Sequence, residues 1–349
     1  MNVSVRTIAR ILLASTVAAA CGDDSAPASP SDSTGEVTTS GSSSSGSEAS
    51  TTGPAESSGP GTSSTGAVES SETGASSSTT GAVENPRVLS GFSVPESAHW
   101  HPASQTWFVS NIAGETGVAD GEGWITRLDA ELEVVEERWL DGLDSPAGLV
   151  SSETMLYVAD LDRVLAIDIE TGTVEETWTI PGAGLLNDPT LHADGTLFVS
   201  DTFANAVFAL RSTEPPTVVV QDAALMGPNG LAVRGDTLLI VSTGSFTDFE
   251  RLAPAFRYDL QSNTLETIDG LTGKFDGIEL DGDAALITDF RGTLLRLRAD
   301  DEVESIRDFV AEGFVTSTAD LGYDPQLGRV LIPDLFGDQV LVYDLATSN

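Results

Sequence analysis

The chain has 349 residues, of which 40% are hydrophobic and 6% aromatic, and its 54 acidic against 16 basic residues give a formal net charge of −38. This charge argues against a nucleic-acid partner and against direct binding to anionic lipid, because both would be repelled at moderate ionic strength. The single cysteine excludes an intrachain disulfide. Two interpretations of the acidic residues remain: a solvated surface that keeps the protein soluble, and a lining for a divalent-cation site.

Residues 1–20 are typical of a secretory signal peptide, since Arg6 and Arg10 precede an apolar run too short to span a bilayer. Cys21 directly follows three alanines, which resembles the lipobox of bacterial lipoproteins, where the cysteine is lipidated. The resemblance predicts a lipid-anchored protein of the cell envelope, and Gly22 is compatible with the outer membrane, with the protein facing the periplasm or the surface. The alternative is a soluble secreted protein in which Cys21 is a spare thiol.

Residues 21–86 are predicted to be a disordered tether. Ser, Thr, Gly and Ala dominate this segment, which contains TGAVE twice and nine acidic residues but no basic one. Such a composition cannot bury enough apolar surface to offset the entropy of ordering. A random coil of about 65 residues has a mean reach of roughly 45 Å, enough to hold a following domain clear of a membrane.

Residues 87–349 repeat one pattern six times: a turn, a short apolar strand, and then a small residue followed in most copies by an acid. The copies begin at Pro95, Ser145, Asn187, Gly227, Phe275 and Thr318. Marker positions in successive copies, taken as Glu96, Pro146, Asp188, Asn229, Asp276 and Asp320, are 50, 42, 41, 47 and 44 residues apart. This is the length of a four-stranded blade, so the sequence predicts an all-β fold, a six-bladed β-propeller.

The two ends of the repeat predict how the ring closes. The sixth copy stops five residues after Asp344, before an outermost strand could form. The strand-like segment 87–93 is predicted to supply that strand, which removes a free sheet edge. Two insertions, 113–123 and 244–254, are predicted to overhang the mouth of the propeller axis, and we expect a monomer.

Polar residues that begin several copies are predicted to meet at the axis, because equivalent positions of all blades converge there. They are Glu96, Asn187, Asp188, Asn229 and Asp276. The acids that end the central strand recur too regularly to form one special site and are predicted to be structural turn residues: Asp160, Asp201, Asp289 and Asp334. His99 and His101 would share a strand face and could bind a transition metal, but the sequence indicates no carboxylate or third histidine near them as a further ligand.

Four copies resemble the SMP-30/gluconolactonase and luciferin-regenerating-enzyme-like family of six-bladed propellers, over essentially all of residues 87–349. The similarity lies in the glutamate ahead of WHP, in LLNDPTLHADGTLFVSD, in PNGLAV and in FDGIELDGDAALITD. The resemblance implies metal ligation by Glu96, Asn229 and Asp276, with Asn187 contacting metal or substrate. The chain departs from the family at 97–98, where Gly-Pro is common, and at 242–244, where an acid is more usual.

These oxygen ligands suit a divalent cation such as Ca²⁺ better than Zn²⁺. The cation would polarise a ring-ester carbonyl and acidify a water, while Asp276 or the neighbouring Asp188 removes a proton, so the expected substrate is a small lactone or ester. In a second interpretation Asp276 and Asp188 only cap turns. The alternative function is a non-catalytic propeller that binds a glycan or protein partner at the cell envelope. The chain lacks a nucleophile elbow, a phosphate loop and a cysteine nucleophile, which disfavours serine and cysteine hydrolase chemistry.

Overall fold

Short apolar strands, separated by turns rich in Gly and Asp, assemble into six antiparallel sheets of four strands each. The computed structural model describes residues 86–345. The expected signal peptide, Cys21 and the tether up to residue 85 lie outside the described residues. The predicted six-bladed β-propeller is confirmed. In the described part of the chain, no helix is long and apolar enough to cross a membrane.

The strands follow one another from the axis outward in each blade. Strand β1 (Arg87–Ser90) precedes the first blade. Blade 1 contains β2 (Pro95–His101), β3 (Thr106–Asn111), β4 (Gly123–Leu128) and β5 (Val134–Leu143). Blade 2 contains β6 (Pro146–Ser151), β7 (Met155–Asp160), β8 (Arg163–Asp168) and β9 (Val174–Thr179). Blade 3 contains β10 (Leu186–Leu191), β11 (Leu197–Asp201), β12 (Ala206–Leu210) and β13 (Thr217–Gln221).

The remaining blades have the same order. Blade 4 follows a short 3-10 helix (Ala223–Leu225) and contains β14 (Pro228–Arg234), β15 (Thr237–Ser242), β16 (Ala253–Asp259) and β17 (Thr264–Gly273). Blade 5 contains β18 (Phe275–Asp281), β19 (Ala284–Asp289), β20 (Thr293–Leu297) and β21 (Val303–Asp308). Blade 6 contains β22 (Gly322–Asp324), β23 (Arg329–Asp334) and β24 (Gln339–Asp344), and β1 is its outermost strand.

The ring is joined by pairing between the two ends of the described chain. Strand β1 runs antiparallel to β24, with Arg87 opposite Val342 and Ser90 opposite Gln339. The segment that the sequence assigned to this role, 87–93, therefore forms a strand over its first four residues. Beyond the strand, Phe92 is buried in the cluster that joins blades 6 and 1.

Burial falls from the axis outward, which explains the composition of the strands. Every residue of β2 and β3 is buried, whereas most of β5 is exposed. The apolar clusters lie between neighbouring blades, and one of them joins Phe108 and Ile125 of blade 1 to Leu149 and Leu156 of blade 2. Because each blade face packs on the next blade, burial of apolar surface holds the ring in place without a disulfide.

Glycines allow the innermost strands to approach one another closely around the axis. A Cβ added to Gly230 would lie 2.5 Å from the backbone oxygen of Asp276 in the next blade. A Cβ on Gly277 would clash with the carboxylate of Asp320 in the blade after that. Polar side chains from different blades can therefore meet in a small volume at the axis.

Candidate metal centre

The candidate site is built on an irregularity that recurs in the innermost strand of blades 1 to 5. In each, the pairing with the second strand skips the two residues after the first paired residue. The first skipped position holds Glu96, Ala147, Asn187, Asn229 and Asp276, and the second holds Ser97, Gly148, Asp188, Gly230 and Gly277. Such bulges redirect side chains and are common beside active sites.

This register corrects the alignment of the repeats that the sequence suggested. Asp188 is one residue beyond the position shared by Glu96, Asn229 and Asp276, and Asn187 is their true equivalent. Asp320 bridges to Ser97 of blade 1 and so lies at the second position as well. A one-residue shift sends a side chain to a different side of a strand.

Hydroxyl groups satisfy the backbone groups that the bulges release from the ladder. The backbone N–H groups of Ser97, Asp188 and Gly277 donate to Ser110 Oγ, Ser200 Oγ and Thr288 Oγ1, each at 2.9 Å. Ser200 Oγ also donates to the backbone oxygen of Asn229 in the next blade, at 2.7 Å. This side chain therefore ties the bulge of blade 3, which carries Asn187, to the bulge of blade 4, which carries Asn229.

The four predicted metal ligands line one cavity of about 120 Å³. They are Glu96, Asn187, Asn229 and Asp276, and each is 5–8% exposed. Asn229 Nδ2 donates to Asp276 Oδ1 at 2.9 Å, so the amide oxygen of Asn229 is turned away from that carboxylate. Residues 47 positions apart in the sequence are thus in direct contact.

Three oxygens of these side chains are buried and have no hydrogen-bond partner: Glu96 Oε2, Asn187 Oδ1 and Asn229 Oδ1. Unsatisfied buried acceptors are rare because each loses its hydration without compensation. Carboxylate and amide oxygens are the ligands that hard divalent cations take, so these residues fit such an ion. In residues 86–345 no group of three or more His, Cys, Asp or Glu side chains is placed to hold a metal. The candidate centre therefore depends on its two amides as well as its two carboxylates.

The carboxyl groups of the site lie in an environment that disfavours their negative charge. Burial raises the pKa of Glu96 well above its usual range, and the charges of Asp276 and Asp320 raise it further. Burial and then Asp320 raise the pKa of Asp276 to about 8, although the hydrogen bond from Asn229 opposes the shift. A cation in the cavity would relieve the repulsion between these groups.

The second predicted catalytic residue, Asp188, lines a different cavity of about 230 Å³ on the axis, together with Glu279 and Asp320. Asp188 Oδ2 accepts a hydrogen bond from the backbone N–H of Leu231 at 2.6 Å, and Ser97 Oγ donates to Asp320 at 2.6 Å. Burial, followed by the charge of Asp320, raises the pKa of Asp188 well above its usual range and that of Glu279 to about 8. The structure thus separates Asp188 from the four candidate ligands.

Sequence reasoning missed three residues of the axis. Asp320 was a repeat marker without a chemical role, and Glu279 lies three residues after Asp276 within FDGIELD. Lys274 is the only lysine of the chain and precedes Asp276 by two residues, which is a signal that could have been noticed. Its ammonium group lines the candidate metal cavity and donates to the backbone oxygens of Thr243 and Ser245 at 3.0 and 2.9 Å.

The acids that end the second strands are structural, as the sequence predicted. Asp201 accepts hydrogen bonds from the backbone N–H groups of Gly184, Leu185 and Ala204. Asp160, Asp289 and Asp334 bind the turn before their own blade in the same way. In blade 4 this position is Ser242, whose buried hydroxyl has no partner.

The His-x-His pair has local partners. His99 Nε2 bonds Ser151 Oγ at 2.7 Å, while His101 contacts Ser104 Oγ and the backbone oxygen of Ser152. Burial, followed by the charge of His101, lowers the pKa of His99 to about 3, so the ring is neutral. The two side chains fasten blade 1 to the first turn of blade 2.

Neither a protein-family profile nor a curated protein matches the chain. Its fold is similar to that of a gluconolactonase from Xanthomonas campestris, with a TM-score of 0.55 and 15% identity over 74% of this chain and 89% of the other. It is also similar to luciferin-regenerating enzyme, with a TM-score of 0.53 and 11% identity over 75% and 96% of the two chains. A streptogramin B lyase gives a TM-score of 0.51 and 12% identity over 74% and 96%. The chain therefore has the propeller fold of gluconolactonase and luciferin-regenerating enzyme, as the resemblance in its repeats predicted.

Proposed function

We propose that this chain is a divalent-cation-dependent hydrolase of lactones or related esters. The observation that carries the proposal is the group of three buried, unpartnered oxygens, from Glu96, Asn187 and Asn229, around the cavity that Asp276 also lines. A turn-capping role for Asp276 accounts less well for the site, because its carboxylate bonds a side chain of another blade rather than a backbone N–H of its own turn.

Glu96, Asn187, Asn229 and Asp276 would hold the cation, and Ca²⁺ suits them because it accepts mixed carboxylate, amide and water oxygens. When bound, such an ion polarises an ester carbonyl and acidifies a water.

The proposal also covers the cellular location of the protein. On the sequence of residues 1–21, we propose that the protein is exported and anchored to the cell envelope through Cys21.

We assign the proton transfer to Asp276. Its Oδ1 is held by Asn229 Nδ2, which leaves Oδ2 to accept a proton from the attacking water. Burial and Asp320 raise the pKa of Asp276 to about 8 in the cation-free chain. A cation bound beside Asp276 would favour the ionised carboxylate, which is the form that can accept a proton. Asp188 lies at the second cavity and accepts from Leu231 N, so we give it the role of holding blade 3 against blade 4.

The test is a screen of lactones and esters with the full chain, treated with a chelator and then supplied with Ca²⁺, Mg²⁺ or Mn²⁺. We expect a cation to restore turnover in the wild type but not in Asp276→Asn or Glu96→Gln. Glu175→Gln is the matched control, because Glu175 is exposed on the outer strand β9. If no lactone or ester is hydrolysed with any of the cations, the hydrolase proposal is wrong and a propeller that binds an envelope glycan or protein is favoured.

A further inference from the structure

Beyond its ligands, the candidate metal cavity has a mainly apolar wall, to which five polar side chains also contribute: Thr116, Thr202, Thr243, Ser245 and Lys274. Seven large hydrophobic side chains line it: Ile112, Leu185, Phe246, Phe249, Phe290, Leu335 and Phe336. Phe246 is 37% exposed, whereas the four candidate ligands are 5–8% exposed, so the polar groups form the floor and the phenylalanine lies at the opening. A molecule that reacts at the floor must therefore place its remaining atoms against this wall.

Two of the apolar wall residues are carried by the insertion in blade 4, residues 244–254, that the sequence placed over the mouth. Lys274 fastens the insertion: its ammonium group donates to the backbone oxygens of Thr243, just before the insertion, and of Ser245, within it, and lies 4.6 Å from the centre of the Phe249 ring. A cation over an aromatic face is a favourable contact. Phe249 and the base of the insertion are thus held in place before a ligand arrives.

The opening also exposes aromatic surface to water. Phe203 is 40% exposed, and its ring meets that of Phe246 edge to face, with 5.3 Å between centroids. In residues 86–345, these two are the only aromatic side chains among the exposed large hydrophobic ones. Residues 87–349 have a net charge of −31, so the aromatic pair at the mouth of the cavity is an apolar feature on a protein that is otherwise strongly acidic. Because the pair lies at the mouth of a cavity, it can offer apolar contacts to a ligand that enters there.

Three of the five polar side chains in the wall, Thr202, Ser245 and Lys274, already have hydrogen-bond partners, so few polar groups remain for a ligand rich in hydroxyls. Thr202 Oγ1 donates to the backbone oxygen of Pro228, and Lys274 is engaged with two carbonyls. A sugar lactone would bury hydroxyls against phenylalanine rings without partners, which is costly. The cavity of about 120 Å³ is also small beside the roughly 300–1,000 Å³ of pockets for drug-sized ligands, so it suits one small ring.

We infer that the substrate is a small lactone or ester with an apolar alkyl or aryl substituent, which lies along Phe246 and Phe203, and not a polyhydroxylated sugar lactone. The inference rests on the proposed function for the reacting group, while the apolar substituent is argued from the wall alone. The aromatic pair and the fastened insertion are features of this chain that the ligand set does not require.

The experiment compares lactones that share a six-membered ring: δ-valerolactone, δ-decalactone and glucono-δ-lactone, with the Ca²⁺-loaded full chain. We expect kcat/KM to rise by roughly fourfold for each methylene that is buried, so that δ-decalactone exceeds both other substrates by at least tenfold. Phe246→Ser should reduce the ratio of kcat/KM for δ-decalactone to that for δ-valerolactone. The control is Val218→Ser, an exposed apolar residue on β13, which should leave this ratio unchanged.

A binding measurement keeps the inference separate from catalysis. The probe is the lactam analogue of δ-decalactone, which is not hydrolysed, titrated calorimetrically into the wild type and both variants. If glucono-δ-lactone is the best substrate and the lactam does not bind, the inference is overturned and the hydrolase proposal survives. If no lactone is turned over but the lactam binds in a manner that depends on Phe246, the hydrolase proposal fails and the apolar ligand class is upheld. Absence of both turnover and lactam binding overturns both.

Discussion

Replacement of Asp276 by asparagine should stabilise the cation-free protein, a result opposite to that expected for most buried acids. Asparagine has nearly the same shape, and its side-chain oxygen can still accept the hydrogen bond from Asn229 Nδ2. The substitution removes a buried carboxyl group whose ionisation is opposed by burial and by the charge of Asp320, and whose own charge raises the pKa of Glu96. A residue retained for a bound ion is expected to carry such a cost when the ion is absent.

The magnitude follows from the pKa of Asp276, which is about 8 in the folded protein against an ordinary value of 3.8. Because the folded-state pKa is raised, the folded chain binds a proton that the unfolded chain releases, and stability falls as the pH rises from about 4 to about 8. At pH 7 the cost is on the order of 4 kcal/mol, at about 1.4 kcal/mol per pH unit above the ordinary pKa. Asparagine has no proton to lose, so Asp276→Asn should raise the free energy of unfolding by a few kcal/mol at pH 7, and the difference should disappear near pH 4.

The assay is urea unfolding followed by tryptophan fluorescence, in chelator, at pH 4.5, 7 and 8.5. The matched control is Asp201→Asn, since Asp201 is also buried but accepts three backbone N–H groups. We expect the control to lose about 1–3 kcal/mol, because an amide has one acceptor oxygen instead of two. If Asp276→Asn is destabilised like the control at pH 7, Asp276 is a structural cap and the electrostatic reasoning is refuted.

Other predictions concern the cation and the bulges. Ca²⁺ titration should show one site, and Glu96→Gln should weaken its affinity at least 100-fold because a buried carboxylate ligand is lost. Glu279→Gln, at the second cavity, should change the affinity by less than tenfold. Equal effects of the two substitutions would argue against the ligand assignment. Ca²⁺ affinity should rise between pH 6 and 8.5, since carboxyls with raised pKa values must lose their protons to bind; a flat calorimetric profile would contradict this. Ser200→Ala should lower the free energy of unfolding by about 1–3 kcal/mol, because Asp188 N and Asn229 O lose their partner; a change below about 0.5 kcal/mol in urea unfolding would refute that role.

The blade count was predictable because a four-stranded blade has a characteristic length and the chain repeats it six times. The identity of the outermost strand of blade 6 was also predictable, since the last copy is one strand short and β1 precedes the first copy. The four candidate ligands could be named from the strand starts of blades 1, 3, 4 and 5. The blade count and the closing strand needed only spacing and local residue type, whereas the choice of the four ligands came from the resemblance of the repeats to the propeller family.

The cavity that each acid would face was not predictable. A bulge leaves two consecutive residues outside the ladder, and spacings between repeats that vary from 41 to 50 residues do not reveal which of the two a marker occupies. Asp188 was therefore grouped with Asp276 although it lines the other cavity. The raised pKa values and the contacts of Lys274 depend on residues from neighbouring blades, so they exist only once those blades have packed together.

A crystal structure grown with Ca²⁺ and measured at a long wavelength would test the cation site most directly. The account predicts an anomalous peak about 2.3–2.6 Å from oxygens of Glu96, Asn187, Asn229 and Asp276. The three oxygens that lack partners, Glu96 Oε2, Asn187 Oδ1 and Asn229 Oδ1, should be among its ligands. An empty cavity at millimolar Ca²⁺, or a peak only beside Asp188, Glu279 and Asp320, would contradict the account.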